Sequence, residues 1–206
     1  MVLTKLRTYG ELVMFSHTLF SIPFGIIAML LAAEGLPPPW VLTWIMVALL
    51  SARTAANALN RLVDKEIDAR NPRTANRHLP GGLVSPLEVV VLIGICLFLL
   101  TLSAFMLNPL CVVLLPVPMV FFFIYSFTKR FTWMCHIILG MCCAGAPVGA
   151  WIAVKGDISW ISLVLGAIVT LWVAGFDIIY GAQDVEFDRD EGLYSIPAAF
   201  GVGKGL

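Results

Sequence analysis

The sequence predicts an all-α, multi-pass transmembrane bundle, and three observations carry that expectation. Of the 206 residues, 60% are hydrophobic and 13% charged, a balance far too apolar for an ordinary soluble domain. The apolar residues fall into about six runs, each near the roughly twenty residues that a helix needs to cross a bilayer. Negative charge is gathered into two short stretches: among the carboxylates only Glu11, Glu34, Glu88 and Asp157 lie outside them.

The first span is expected near Leu12 to Ala33. Lys5 and Arg7 precede it, but the run is longer than a signal-peptide core and lacks a clear small-residue cleavage site, so it reads as a retained helix. The others follow at Trp40 to Asn60, Pro86 to Leu107, Pro109 to Phe127, Thr132 to Val154 and Ile158 to Tyr180. Leu36 to Pro39, Asn108 to Pro109 and Lys155 to Asp157 make short connections, whereas those after the second and sixth spans are long and charged. Pro23, Pro116, Pro118 and Pro147 interrupt spans and should kink them. Trp40, Trp133, Trp151 and Trp160 near span ends read as interfacial anchors, and the small residues of MCCAGAPVGA favour close helix contact. Cys96, Cys111, Cys135, Cys142 and Cys143 lie in apolar runs without a C-x-x-C pair, so they read as packing residues rather than a zinc site or a disulfide framework.

Basic residues set the orientation. Lys5, Arg7, Lys65, Arg70, Arg73, Arg77, Lys129, Arg130, Arg189 and Lys204 fall at the N-terminus or after even-numbered spans, and only Lys155 after an odd one. An excess of Lys and Arg marks the cytoplasmic side, so the N-terminus and both acidic stretches share that side and can share one ligand. A net charge of zero, with basic residues in short loops rather than a stripe, gives no reason to invoke nucleic acid.

In the first stretch Arg53, Asn57, Asn60, Asp64 and Asp68 are spaced by three- and four-residue steps and should project from one helical face. Two carboxylates one turn apart, with an amide one turn before them, suit Mg²⁺, which takes a few oxygen ligands and completes its shell with water and substrate phosphate. A lone D-x-x-x-D is weak evidence, but Asp177, Tyr180, Asp184 and Asp188 repeat the arrangement in the second stretch. A charge following a span is ordinarily a solvated stop signal, which is the simpler reading of Lys129 and Arg130 taken alone. A carboxylate at membrane depth costs about 2.5–3.5 kcal/mol, and Asp177 and Asp184 lie close enough to the apolar run to bear part of it. Arg53 sits inside the second span and needs an anionic partner in the bundle or a wet cavity. His17, His78 and His136 lack ligand spacing and are assigned to no metal.

Cations at Arg53, Arg73, Arg77, Lys129 and Arg130 around two acidic faces suit a diphosphate held by Mg²⁺ and charge-assisted hydrogen bonds. In a membrane the substrate class is a lipid diphosphate whose tail lies among the helices or in lipid. Loss of its diphosphate would leave an allylic cation, with Mg²⁺ and basic side chains stabilising the leaving group. The chemistry expected is prenyl transfer.

Three motifs in this order, Asn60-x-x-x-Asp64-x-x-x-Asp68 followed by NPRTANRHLPGG, Tyr125-x-x-x-Lys129-Arg130, and Asp177-x-x-Tyr180-x-x-x-Asp184-x-x-x-Asp188, resemble the linked signatures of the UbiA superfamily of intramembrane aromatic prenyltransferases. The resemblance covers essentially all of residues 1–206 as one domain. It implies nine membrane helices where about six are visible, hence an expected C-terminally incomplete domain. It further implies that Asn60, Asp64 and Asp68 hold one Mg²⁺ and that Asp184 and Asp188 hold another, with a polyprenyl diphosphate between them. Arg73, Arg77 and Lys129 would contact the diphosphate, joined by Arg130. Arg53 would hold the anionic head or the acceptor's carboxylate, Tyr125 and Tyr180 would line the site, and Asp177 or Asp184 would orient the phenol or assist proton loss.

Arg61 stands where many members carry aspartate. The run SARTAANALNRLVDKEIDARNPRTANR resembles the 4-hydroxybenzoate polyprenyltransferase-like branch, including members of the futalosine route to menaquinone, so the acceptor implied is 4-hydroxybenzoate or 1,4-dihydroxy-6-naphthoate in quinone biosynthesis. The localisation implied is the bacterial inner membrane, among membrane lipid, with the active site facing the cytoplasm. Other classes fit less well. A CDP-alcohol phosphotransferase needs the D-x-x-D-G-x-x-A-R signature, which is absent; a soluble prenyl synthase is opposed by the long apolar runs; a non-catalytic prenyl-lipid carrier or inactive fragment differs by binding the diphosphate without product.

Overall fold

The computed structural model of the chain describes residues 8–13 and 15–205, with side chains described for 8–13 and 22–203. Lys5, Arg7 and Leu206 lie outside the described residues, as do the side chains of His17 and Lys204. The described residues are mainly helical and contain no strand, as the apolar spans require: in hydrocarbon every backbone N–H and C=O must be satisfied within the segment.

A short helix at residues 8–12 (α1) precedes α2 (Phe15–Ala33), α3 (Pro39–Val63), α4 (Lys65–Arg70) and α5 (Pro86–Leu107). Then come α6 (Pro109–Leu114), α7 (Pro116–Thr128), α8 (Cys135–Lys155) and α9 (Trp160–Gly181). A 3-10 turn (Ala182–Asp184) leads to α10 (Val185–Asp190), α11 (Ile196–Phe200) and α12 (Val202–Gly205).

The helix ends follow local chemistry. Pro39, Pro86, Pro109 and Pro116 occupy first positions, where a missing N–H costs nothing. Ser85 and Glu88 form a reciprocal capping box at the start of α5, and Asn108 and Ser159 cap α6 and α9. At the other end of α2, Glu34 takes a left-handed conformation and the Gly35 N–H reaches back to the Leu30 carbonyl, closing the helix in the Schellman manner. Gly156, with φ 71°, ends α8 similarly.

Five stretches of the described residues are long and apolar enough to cross a membrane: Pro39–Val63, Pro86–Leu107, Pro109–Thr128, Cys135–Lys155 and Trp160–Asp190. The expected first span coincides with α2, whose described apolar part is Ile22–Ala33. The fourth span is broken at Leu115 into α6 and α7, because Pro116 cannot donate to the preceding turn. Pro23 and Pro147 are instead carried inside unbroken helices, against the expectation that all four prolines interrupt.

Large apolar side chains such as Phe98, Phe105, Leu171 and Trp172 point outward, as they can where lipid is the solvent. Trp40 and Trp160 are exposed near span ends, as anchors should be, but Trp151 corrects the anchor expectation. It is 6% exposed, packed inside the bundle, and its indole N–H donates to Asp157 at 3.1 Å. At the same end Lys155 pairs with Glu34.

Helix α8 packs most extensively on α9, α3 on α5, and α2 on α8. The α8–α9 approach depends on glycine: a Cβ built on Gly140 would lie 2.2 Å from the Thr170 carbonyl oxygen, and one on Gly166 would lie 2.9 Å from Val148. A backbone obstacle cannot swing aside as a side chain can. Gly140→Ala should therefore force the helices apart and cost about 1–3 kcal/mol. Gly175→Ala, where a Cβ meets nothing within 4 Å, should leave stability unchanged or raise it. Thermal unfolding of the two variants in one detergent measures the difference.

Candidate functional site

Both acidic stretches lie where long helices end, with Asp64 directly after α3 and Asp184 three residues after α9. Helix α3 stops at Val63, and Asp64 adopts φ −91° and ψ 3° before α4 begins. Helix α9 stops at Gly181, and Asp184 adopts φ −108° and ψ 9° before α10. Each motif thus spans an interruption of regular α-helix, and its residues still line one cavity. Backbone bonding continues through the first break, with Asp64 N–H to the Asn60 carbonyl at 2.9 Å and Asp68 N–H to the Asp64 carbonyl at 2.8 Å.

The cavity, of about 270 Å³, is bounded by the adjoining ends of α3, α7, α8 and α9 and by the loops after α4 and α10. Five aspartates (64, 68, 177, 184 and 188) line it together with five cations, Arg53, Arg61, Arg73, Arg77 and Lys129. Asn60, Tyr125 and Tyr180 also line it, so the site residues expected from sequence are brought together, with Arg130 adjoining through Asp64.

Nearly every cavity carboxylate is held by its own partner. Asp64, only 3% exposed, accepts from Lys129 Nζ at 2.7 Å, Arg130 Nη2 at 3.1 Å and Asn60 Nδ2 at 3.0 Å. Lys129 and Arg130 are therefore more than stop signals. Asp68 is gripped through both oxygens by Arg77 Nη1 at 2.8 Å, with Arg61 at 3.6 Å. Asp184 accepts from Asn71 Nδ2 at 3.0 Å and from Arg73 through two guanidinium nitrogens. Arg73 also donates to the Tyr180 hydroxyl at 3.0 Å and lies 5.1 Å over its ring; the Asp184 hydrogen bond raises the arginine's pKa above its usual value. Asp188 accepts from Ser195 Oγ at 2.8 Å.

One to three turns deeper along their helices stand Arg53, Tyr125 and Asp177, beside Leu139, Val173 and Phe176. Arg53 was expected to need an anionic partner. It donates Nη1 to the Cys143 sulfur at 3.3 Å, while its buried Nε has no hydrogen-bond partner among the described residues. A guanidinium that lines the cavity with one buried nitrogen left unpaired is costly and suits an anionic group of a ligand. Asp177 pairs with His136 Nδ1 at 2.7 Å.

Sequence reasoning passed over His136, Asn71 and Ser195. For Asn71 a signal existed in the NPRTANR run; for His136 there was none, since its partners lie 41 and 60 residues away. Among the described residues no group of three or more His, Cys, Asp or Glu is gathered on a single point as a metal shell. The donors are nonetheless carboxylate and amide oxygens, the set Mg²⁺ prefers. With five negative and five positive side chains around the cavity, they fit a metal that arrives together with its own anion.

Comparison with known proteins bears on the family and the fold. Residues 21–206 match the model of the UbiA prenyltransferase family. The 4-hydroxybenzoate octaprenyltransferase of Vibrio vulnificus (strain CMCP6) is 32% identical over 198 residues, covering 95% of this chain and 66% of that protein. That of Vibrio atlanticus (strain LGP32) is 31% identical over 207 residues, covering 98% and 72%. The apo structure of a UbiA homologue from Aeropyrum pernix K1 superposes with a TM-score of 0.80 at 34% identity, over 89% of this chain and 69% of that one. A UbiA homologue from Archaeoglobus fulgidus bound to GPP and Mg²⁺ shares the fold, with a TM-score of 0.76 at 18% identity, over 96% and 71%. The chain spans 66% of the length of the first of these relatives.

Arg77 supplies both guanidinium hydrogen bonds to the buried Asp68 carboxylate, and Arg61 at 3.6 Å replaces neither. Arg77→Ala should destabilise the protein by roughly 3 kcal/mol, seen as a lowered unfolding temperature. Arg70→Ala should leave that temperature within error, since the Arg70–Glu191 pair is exposed.

Proposed function

The chain belongs to the UbiA prenyltransferase family, and on that premise we propose that it carries out Mg²⁺-dependent transfer of a polyprenyl group from a polyprenyl diphosphate to a hydroxyaromatic acid. The observation that carries this reading is the division of one cavity into two parts. Its mouth holds paired aspartates and cations for a metal-bound anion, and its deeper part offers an under-satisfied arginine, a carboxylate and a phenol between apolar walls.

Asn60, Asp64, Asp68, Asp184 and Asp188 would hold Mg²⁺, which when bound neutralises charge on the departing diphosphate. Arg73, Arg77, Lys129 and Arg130 now bond those aspartates; with a diphosphate present they turn to its oxygens, where charge-assisted bonds are strongest. The exchange conserves the charge balance. Arg53 takes the acceptor's carboxylate and so sets the depth of the aromatic ring. Asp177 faces the ring's hydroxyl, and Tyr125 and Phe176 exclude water from the reacting carbon. The allylic C–O bond of the diphosphate breaks, a bond forms between the prenyl carbon and a ring carbon, diphosphate leaves, and the ring proton passes out by way of Asp177.

The prenyl tail would lie along the apolar helices or in surrounding lipid. Lys65, Arg70, Arg73, Arg77, Lys129, Arg130 and Arg189 belong to the loops and short helices of the cavity end and Lys155 to the opposite one. By the positive-inside rule the cavity faces the cytoplasm, in a bacterial inner membrane. The names of the relatives favour 4-hydroxybenzoate as acceptor; 1,4-dihydroxy-6-naphthoate offers the same carboxylate and hydroxyl.

Membranes containing the protein, given Mg²⁺, a polyprenyl diphosphate and each acid separately, should form prenylated product with one of them and lose it on addition of EDTA. Asp64→Asn and Asp184→Asn should each lower kcat by about a hundredfold or more; turnover unchanged in both would overturn the reading. Arg53→Ala should raise the acceptor KM about tenfold or more, the value of a charged hydrogen bond. It should scarcely affect an acceptor whose carboxylate is replaced by a methyl ester.

A further inference from the structure

His136, the second residue of α8, is only 4% exposed. Its Nε2 lies 3.2 Å from the backbone N of Ile196, the first residue of α11. A backbone N–H can only donate, so Nε2 is the bare, accepting nitrogen and the ring proton sits on Nδ1. From there it is donated to Asp177 Oδ2 at 2.7 Å. One ring is thus held in one tautomer between a carboxylate of α9 and the start of α11.

A seat is also built for it. A Cβ on Gly181 would come within 3.2 Å of His136 Cε1, so the glycine of α9 leaves the width the imidazole needs. The α11 end is fixed in turn: Tyr194 N–H donates to the Lys129 carbonyl at 2.7 Å, Cys135 Sγ to the Tyr194 carbonyl at 3.4 Å, and Ser195 Oγ to Asp188 Oδ2. Asp177 keeps 29% of its side-chain surface and faces the cavity shared with Arg53 and Tyr125.

We propose that His136 is a positioning residue for the aromatic acceptor. It holds the Asp177 carboxylate at a set angle opposite Arg53, so that a ring bearing a carboxylate at one end and a hydroxyl at the other is gripped at both. This rests on the transfer reaction proposed above. His136 does not take the acceptor's proton, because the Ile196 N–H occupies its only accepting nitrogen.

The test uses the full chain in nanodiscs with two independent readouts. Nitrogen NMR of ¹⁵N-histidine-labelled protein, assigned with His136→Gln, should show His136 protonated at Nδ1 and bare at Nε2. In the transfer assay His136→Ala should lower kcat on the order of a hundredfold, the cost of a misplaced reacting group, while binding of the prenyl diphosphate stays within twofold. His136→Gln should recover most of the rate, since its amide can donate to Asp177 and accept from Ile196. Gly181→Ala, which crowds the ring without removing it, should reproduce part of the loss. The proposal is overturned by His136→Ala turning over like the parent, by an equal loss of diphosphate binding, or by a proton found on Nε2. Should the parent itself prenylate neither acid, the reaction proposed above fails, and the tautomer alone then decides whether Asp177 is held as described.

Discussion

The structure depends on compensation of charge at the end of a bundle otherwise solvated by lipid. Ionised side chains at that depth are tolerated only when paired or wetted, and the cavity meets the requirement with matched numbers of aspartates and cations. Asp64 is the centre of this constraint. It is nearly inaccessible, and it draws Lys129 and Arg130 from the end of α7 and Asn60 from α3 onto one carboxylate. The interruptions at Asp64 and Asp184 lie at this same end, beside the cavity.

Much of the fold was legible beforehand because bilayer thickness imposes one length on every span, and α3, α5, α6, α7 and α9 announce their starts through proline, serine or asparagine. The span from Pro86 to Leu107 is recovered to the residue. Less visible was the behaviour of particular prolines. Pro116 ends α6 while Pro147, buried against neighbours, does not end α8, and only packing distinguishes them. Trp151 was misread for a related reason. Its place near a helix end suggested the membrane interface, but Asp157, six residues on, offers a partner that draws the indole inward.

At the site, periodic spacing identified the residues but not their pairing. Asp64, Asp68, Asp184 and Asp188 could be read as a set because they recur every four residues. That Arg77 rather than Arg73 takes Asp68, while Arg73 crosses to Asp184, depends on how the loop after α4 folds over the cavity. His136 was invisible for a sharper reason: its meaning comes wholly from a carboxylate on the next helix and a backbone N–H sixty residues on.

The distances along the chain between paired charges bear on how the protein is made. Arg73 finds Asp184 111 residues later, Arg70 finds Glu191 121 residues later, and Asp64 must wait for Arg130, 66 residues on. Helices enter a membrane in order of synthesis, so α3 and α4 are delivered with their charges unmatched. Contacts this distant in sequence form late. A charge cluster placed mid-bilayer would have to endure that interval in hydrocarbon, whereas one at the helix ends passes it in water. The position of the cavity at the mouth of the bundle therefore serves biogenesis: the helices can be threaded one at a time, and the ionic pairs close only when the segment after α9 brings Asp184 and Glu191.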